Sequence, residues 1–484
     1  MIVNKISLKL MTISMLLVMS LPAFSQNDIP DKESFMLLAG YNTTTDGSVM
    51  VAHNKGLNHA EGSFLERVPR QKNDSAEVIR LQNGLEIPQT KISMAWMGLQ
   101  TKNGMHQGDA VAINEHQVSI AGSVSLESDR NMKARKADPL VPGGVIGSMY
   151  YKALERAQTA RECVNLIGKY YNNYGIAQAY GIAIADKNEI WYVEAGGGHH
   201  WAAIKIPHDA VWIQANEYRI GHIDPDDRDV MTSPGLLEFA RYNDLWDPDE
   251  QLFDFADAFG RRIQNSGSNE NFNSLKIWRS IHLMDSTSKL KPGQTVYPQF
   301  IRPQEKLDLP KLISILRDHY QSSSSNDSLF TDSLKKHMRP IASRNVVYTS
   351  IVQLTDGLPA NVGAVLWSGF STPLTTPYIP FYFGIKNVPR PYNNKTPEEE
   401  RAFQVYRALA DIFYQNPTKY DEQFPQVWSK FQTKCFNEQV HIDQGAMRLY
   451  RINSAMARQF LTTNVEALSQ EALDIARENL NQIR

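Results

Sequence analysis

Between Ser34 and Gly56 the chain reads SFMLLAGYNTTTDGSVMVAHNKG, two short apolar runs separated by a polar stretch that ends in glycine. The runs are Phe35 to Ala39 and Ser48 to Ala52, and the turn between them is Tyr41-Asn42-Thr43-Thr44-Thr45-Asp46-Gly47. Short apolar runs bounded by turn residues predict a β-hairpin. Val49, Val51 and the Leu37-Leu38 pair suit a pleated, half-buried surface, and Gly47 supplies tight backbone angles without steric cost. Ser34, a small hydroxyl residue, heads the first strand.

Further strands are expected at Ile92 to Met97, Ala110 to Ile113, Val118 to Ala121, Gly181 to Ala185, Ile190 to Val193 and Ala210 to Gln214. Asn114-Glu115-His116 is a turn between two of them, and Gly147 to Tyr171 reads as a helix. Short polar turns between strands suggest antiparallel pairing rather than helical crossovers. Later come a helix at Leu309 to Tyr320, a serine-rich loop at Ser322 to Asp327, and strands at Val346 to Leu354 and Ala364 to Trp367. Helices at Glu398 to Asn416, Pro425 to Lys434 and Ala455 to Gln482 close the chain. With no internal repeat and no low-complexity linker, the pattern predicts one α+β domain over residues 34–484, two antiparallel sheets between helical layers.

The N-terminus carries an address. Lys5 and Lys9 precede an apolar run from Met11 to Leu21, and Ala23-Phe24-Ser25 offers the small residues a signal peptidase reads. Residues 1–25 are therefore expected to be a secretory signal peptide, and the mature protein periplasmic or secreted. The apolar run is short of the roughly 20 residues a spanning helix needs. Residues 26–33, QNDIPDKE, read as an unstructured leader or short propeptide. With 50 basic and 52 acidic residues the net charge is -2, which favours neither nucleic acid nor an anionic membrane as partner. Two cysteines, Cys163 and Cys435, allow one disulfide without requiring it. Cys163 shares helical spacing with Leu166, Ile167 and Tyr170 and reads as a small core residue.

The hairpin also resembles the opening of the dipeptidase-A family, cysteine-type members of the N-terminal-nucleophile hydrolases. Mature chains of that family open Cys-Thr-Thr-(aliphatic)-(aliphatic)-Val-Gly and run into an Asp-Gly-Ser turn. Aligning on Gly40 and on Asp46-Gly47-Ser48 puts Ser34 at the nucleophile position. Glu189-Ile190-Trp191-Tyr192-Val193-Glu194 with Gly198-His199-His200-Trp201 is similar to a second family signature. Arg339-Pro340-Ile341, Gly363-Ala364-Val365-Leu366-Trp367 and Pro380-Phe381-Tyr382 follow in family order. The resemblance implies an αββα sandwich, hydrolysis of small peptides, and no cofactor.

In such a mechanism the first residue of the cut chain supplies the nucleophile and its freed α-amine the base. Ser34 meets the requirement if its bond to Glu33 is cut; otherwise it is a strand-start residue behind an intact leader. The family's second strand ends Ala-Arg-Asn-Glu-Asp, where this chain has Ala52-His53-Asn54-Lys55-Gly56. His53 thus stands in the arginine's place near the site, and Gly56 in the aspartate's. Asn114 and Asn216 fall where the wider superfamily has donors to the oxyanion and the substrate carbonyl; as asparagines they equally suit tight turns. His199-His200 invites a metal reading, but no carboxylate-plus-histidine helix spacing accompanies it, and a structural role beside Trp201 is expected. Ser286-Thr287-Ser288-Lys289 matches a Ser-x-x-Lys pattern whose partner motifs are absent. No Gly-x-Ser-x-Gly elbow, His-Glu-x-x-His, phosphate loop or dinucleotide fingerprint occurs. The expected function is a secreted dipeptidase-like amidohydrolase, with an N-acyl amide acylase or a catalytically silent binding protein as the alternatives.

Overall fold

The computed structural model describes residues 32–57, 62–101, 111–124, 127–141, 143–260, 271–294, 296–320 and 339–483. The expected signal peptide, leader residues 26–31 and the serine-rich loop lie outside them. The hairpin forms from strands Lys32–Ala39 and Val49–Leu57, which place Ser34 opposite Lys55 and Met36 opposite His53. Lys32 and Glu33, expected in an unstructured leader, instead continue the first strand and pair with Leu57 and Gly56. Asp46 holds the turn: its carboxylate accepts from the Ser48 N–H at 3.0 Å, the Ser48 hydroxyl at 2.7 Å and Gln353 Nε2 at 2.6 Å. Gly47 has φ +72°, a left-handed conformation that glycine adopts without a Cβ clash. At Gly40 a Cβ would stand 2.4 Å from the His208 carbonyl oxygen, so the chain can leave the strand there only with no side chain.

Among the described residues, the hairpin is the centre of a six-stranded sheet, flanked by Val211–Gln214 on one side and Val346–Leu354, Ala364–Gly369 and Ile379–Tyr382 on the other. An eight-stranded sheet runs in the order Val230–Thr232, His200–Ile206, Ile190–Gly197, Tyr180–Ala185, Ser119–Val124, Val111–Asn114, Trp96–Thr101 and Ser63–Val68. Neighbours in both sheets pair antiparallel.

Side-chain alternation assigns the faces. On the eight-stranded sheet, Ile182, Ile184, Trp191 and Val193 pack with Cys163, Val164 and Ile167 of the helix Ala160–Tyr174. Tyr192, of opposite parity, meets Trp212 of the six-stranded sheet at 4.9 Å between ring centroids, so both rings lie between the sheets. The six-stranded sheet is covered outside by helices Ala402–Gln415, Gln423–Ile452 and Ser454–Ile483. Gln439 reaches Gln353 at 2.8 Å and Gln432 the Tyr378 carbonyl at 3.0 Å. Leu461, Val465, Leu468, Ala472 and Ala476 make a buried stripe at helical spacing on the last helix. A fully buried leucine contributes about 1.5–3 kcal/mol relative to an exposed one, so such a stripe outweighs weak intrinsic propensity. The molecule is an α+β αββα sandwich.

Several boundaries differ from expectation for local reasons. The helix expected at Gly147 to Tyr171 is two, Ser148–Leu154 and Ala160–Tyr174. The second starts at Thr159, whose side chain accepts from the Glu162 N–H at 3.1 Å. The helix expected at Pro425 to Lys434 runs through Gln423–Ile452, because it packs along the final helix beyond its own apolar run. Strand Ser63–Val68 was hidden by Glu66 and Arg67, charged residues of the kind that protect a sheet edge. Cys163 and Cys435 are both buried and free.

Candidate active site

The register of the six-stranded sheet places side chains in rows on the face turned toward the other sheet. Trp212 faces inward, and Gln214, two residues on, shares its side. Gln214 lies beside Met36, Met36 beside His53, and His53 beside Ser350. The next row holds Ser34, Lys55 and Tyr348. Two of the four residues expected in the site, Ser34 and His53, therefore stand on one face, and a third, Asn216, reaches Ser34 from the turn that follows its flanking strand.

Ser34 is 2% exposed. Its backbone N–H donates to Asn216 Oδ1 at 2.6 Å, and its Oγ accepts from Lys55 Nζ at 3.2 Å. Asn216 holds φ +57°, a left-handed angle that asparagine tolerates better than most side chains. The turn that carries it is pinned from the other sheet. Glu194 accepts from the Arg219 N–H at 2.6 Å and the Ile220 N–H at 3.0 Å. The Arg219 guanidinium donates to the carbonyls of Ile213, Tyr297 and Pro298 at 3.2, 3.3 and 2.7 Å. Burial pushes the Glu194 carboxyl up to about 8, against the opposing pull of those two N–H donors and of Arg219.

His53 is fully buried, with Tyr348 edge-on at 5.8 Å. Burial first, and the Lys55 charge second, hold its imidazole well below the usual value of 6.5, so it is neutral at pH 7. Among the described residues neither ring nitrogen has a hydrogen-bond partner, nor do the amide atoms of Gln214 or the hydroxyl of Ser350. Buried polar groups are nearly always paired, so a row of orphans sets this stretch apart from ordinary core.

One expectation for the asparagines is corrected. Asn114 does not join the site. It faces the outer helices, where its Nδ2 donates to the Leu154 and Ala157 carbonyls at 2.8 and 2.7 Å, the backbone groups freed by the break between the two helices. Its Oδ1 accepts from the His116 and Val118 N–H groups at 2.9 and 3.0 Å. Asn114 is a turn residue with both amide hydrogens committed. Asn216 does reach Ser34, its Oδ1 accepting from the Ser34 N–H. Asn54, next to His53, points to the opposite face and donates to the Leu316 and Ile341 carbonyls.

His199 and His200 serve the turn between two strands. The His199 N–H and Nδ1 meet Asp138 Oδ2 at 2.8 and 2.9 Å, while His200 meets Ser233 Oγ at 3.2 Å and stacks on Phe239. Among the described residues no group of three or more His, Cys, Asp or Glu side chains is disposed to hold a metal ion. Thr287 caps a local turn on Asp285.

Lys55 was missed. Its signal was present: counting outward from the turn in a regular hairpin pairs residue 34 with residue 55, and a lysine opposite the nucleophile position is unusual enough to single out.

A family model described as Peptidase family C69 matches residues 35–430. The chain is 28% identical over 368 residues to a "Probable dipeptidase" of Salmonella dublin, covering 75% of this chain and 83% of that one. It is likewise 28% identical over 389 residues to a "Probable dipeptidase" of Latilactobacillus sakei, covering 78% of this chain and 80% of the relative. Among solved structures it is similar to a variant of conjugated bile acid hydrolase from Clostridium perfringens, at 14% identity and a TM-score of 0.32 over 69% of this chain and 89% of that one. That last likeness is too distant to bear on the site. The match along most of the chain, with the antiparallel sandwich and the hairpin that heads it, makes this protein a member of Peptidase family C69, the dipeptidase-A family of peptide-bond hydrolases.

Proposed function

We propose that the chain is a secreted dipeptidase that hydrolyses small peptides with Ser34 as nucleophile, presented as the N-terminal residue once the Glu33 to Ser34 bond is cut. The observation that carries this reading is the contact of the Ser34 nitrogen with Asn216 Oδ1 at 2.6 Å. A freed α-amine at that position would already be oriented, beside its own hydroxyl and next to the row of His53, Gln214 and Ser350. The related proteins named as dipeptidases support a peptide substrate.

A second reading has its own support. Gln214, His53 and Ser350 form an uncharged row, and Gly56 brings no carboxylate to it. An unblocked substrate ammonium gains nothing there, whereas an amide-capped nitrogen would, which favours N-acyl compounds. Turnover of dipeptides measured against that of N-acyl amino acids separates the two.

Ser34→Ala is the direct test. It is expected to abolish hydrolysis of both substrate classes while leaving the melting temperature close to that of the parent, because the change removes one oxygen from a buried site. Parental turnover in the purified variant would end the proposal.

A further inference from the structure

The hydroxyl of Ser34 already has an amine on it, and the amine is not its own. Lys55 stands directly opposite Ser34 in the hairpin, with Nζ 3.2 Å from Ser34 Oγ. Both side chains are buried, Ser34 at 2% and Lys55 at 0% exposure. The Ser34 backbone nitrogen is directed elsewhere, to Asn216 Oδ1. A lysine Nζ within hydrogen-bond distance of a buried hydroxyl is the arrangement in which an amine, once it has lost its proton, serves as a base.

We infer that Lys55 is a catalytic residue, the group that takes the proton from the Ser34 hydroxyl. This rests on Ser34 being the nucleophile and reassigns only the base, from the α-amine to a side chain built into the same hairpin. After Lys55 has lost its proton to solvent, Nζ accepts the Oγ proton as Oγ bonds to the substrate carbonyl carbon and the carbonyl electron pair moves onto oxygen. Collapse of that adduct breaks the C–N bond, and the Lys55 ammonium gives its proton to the departing nitrogen. A Ser34 ester and a free amine result. Nζ then takes a proton from water as the water oxygen adds to the ester carbon. The Oγ leaving group recovers that proton from Lys55, so one water is consumed and acid and amine are released.

The assignment separates the two amines by their chemistry. Arginine keeps the charge of Lys55 but cannot give up its proton. Lys55→Arg and Lys55→Met are both expected to lose about 10²–10⁴-fold in kcat/KM, the range for removal of a general base. The parent is expected to gain kcat/KM from neutral to alkaline pH as Lys55 loses its proton, and Lys55→Arg should lose that rise. Lys55→Ala leaves space beside Oγ, and added ethylamine should restore turnover in proportion to its concentration, a recovery that a purely structural defect would not show.

The inference falls if Lys55→Arg keeps the parental kcat and pH profile, since charge alone would then suffice. It falls equally if Lys55→Ala, folded by circular dichroism, gains nothing from ethylamine. Failure of the underlying reading looks different: Ser34→Ala would then retain turnover. An inactive Ser34→Ala beside fully active Lys55 variants would leave the nucleophile in place and return the base to the α-amine.

Discussion

His53 and Lys55 sit two residues apart on one strand, and their burial has opposite uses. Lys55 has the Ser34 hydroxyl within hydrogen-bond distance, whereas His53 has no partner for either ring nitrogen. The imidazole is held neutral by burial and by the neighbouring cation, so it takes up its proton far less readily in the fold than in the unfolded chain. Below the unfolded value of about 6.5 the unfolded chain binds a proton that the folded one refuses. The contribution of His53 is therefore present above that pH and is lost as pH falls. His53→Gln, which cannot ionise and keeps a polar head at that position, should flatten the loss of stability on acidification. Denaturant melts of parent and variant at neutral and mildly acidic pH test this, and parallel acid slopes would remove His53 from the account.

At the scale of elements, the site depends on a turn held across the gap between the sheets. Glu194, on the eight-stranded sheet, accepts the N–H groups of Arg219 and Ile220 and so sets the backbone that presents Asn216 to Ser34. Glu194→Gln leaves one of those donors facing an amide N–H₂, and an unsatisfied buried donor costs about 1–3 kcal/mol. Stability should fall by that order, and turnover with it, because the Asn216 contact loosens. The pH dependence has the reverse sign to that of His53. With its folded carboxyl raised to about 8 from 4.5, Glu194 keeps a proton that the unfolded chain releases. Its contribution is complete below the unfolded value and is lost as pH rises through about 8. Thermal melts from acidic to alkaline pH should show a descending slope in the parent that Glu194→Gln lacks; an unchanged slope would mean that another group titrates there.

For the whole molecule the open step is the cut. The first strand runs unbroken through Lys32, Glu33 and Ser34. Hydrolysis before Ser34 would turn the middle of a paired strand into a chain end without moving the residues that hold it. Intact mass and N-terminal sequencing of the protein from a periplasmic fraction are expected to give a chain beginning at Ser34. A homogeneous chain beginning at Gln26 would leave the Ser34 nitrogen in a peptide bond and refute the N-terminal-nucleophile form of the proposal. The sequence by itself determined the hairpin, the antiparallel strands and the closing helices, because alternation, turn residues and helical periodicity are local properties of neighbouring residues. It also marked Ser34, through the resemblance of the hairpin to the dipeptidase-A opening, aligned on Gly40 and Asp46-Gly47-Ser48. Only the tertiary structure decided which asparagine serves the site. Asn114 and Asn216 are both turn residues in sequence, but one faces the outer helices and the other Ser34, and that follows from how two sheets stack. The same stacking buries Lys55 against Ser34 and makes it a candidate base.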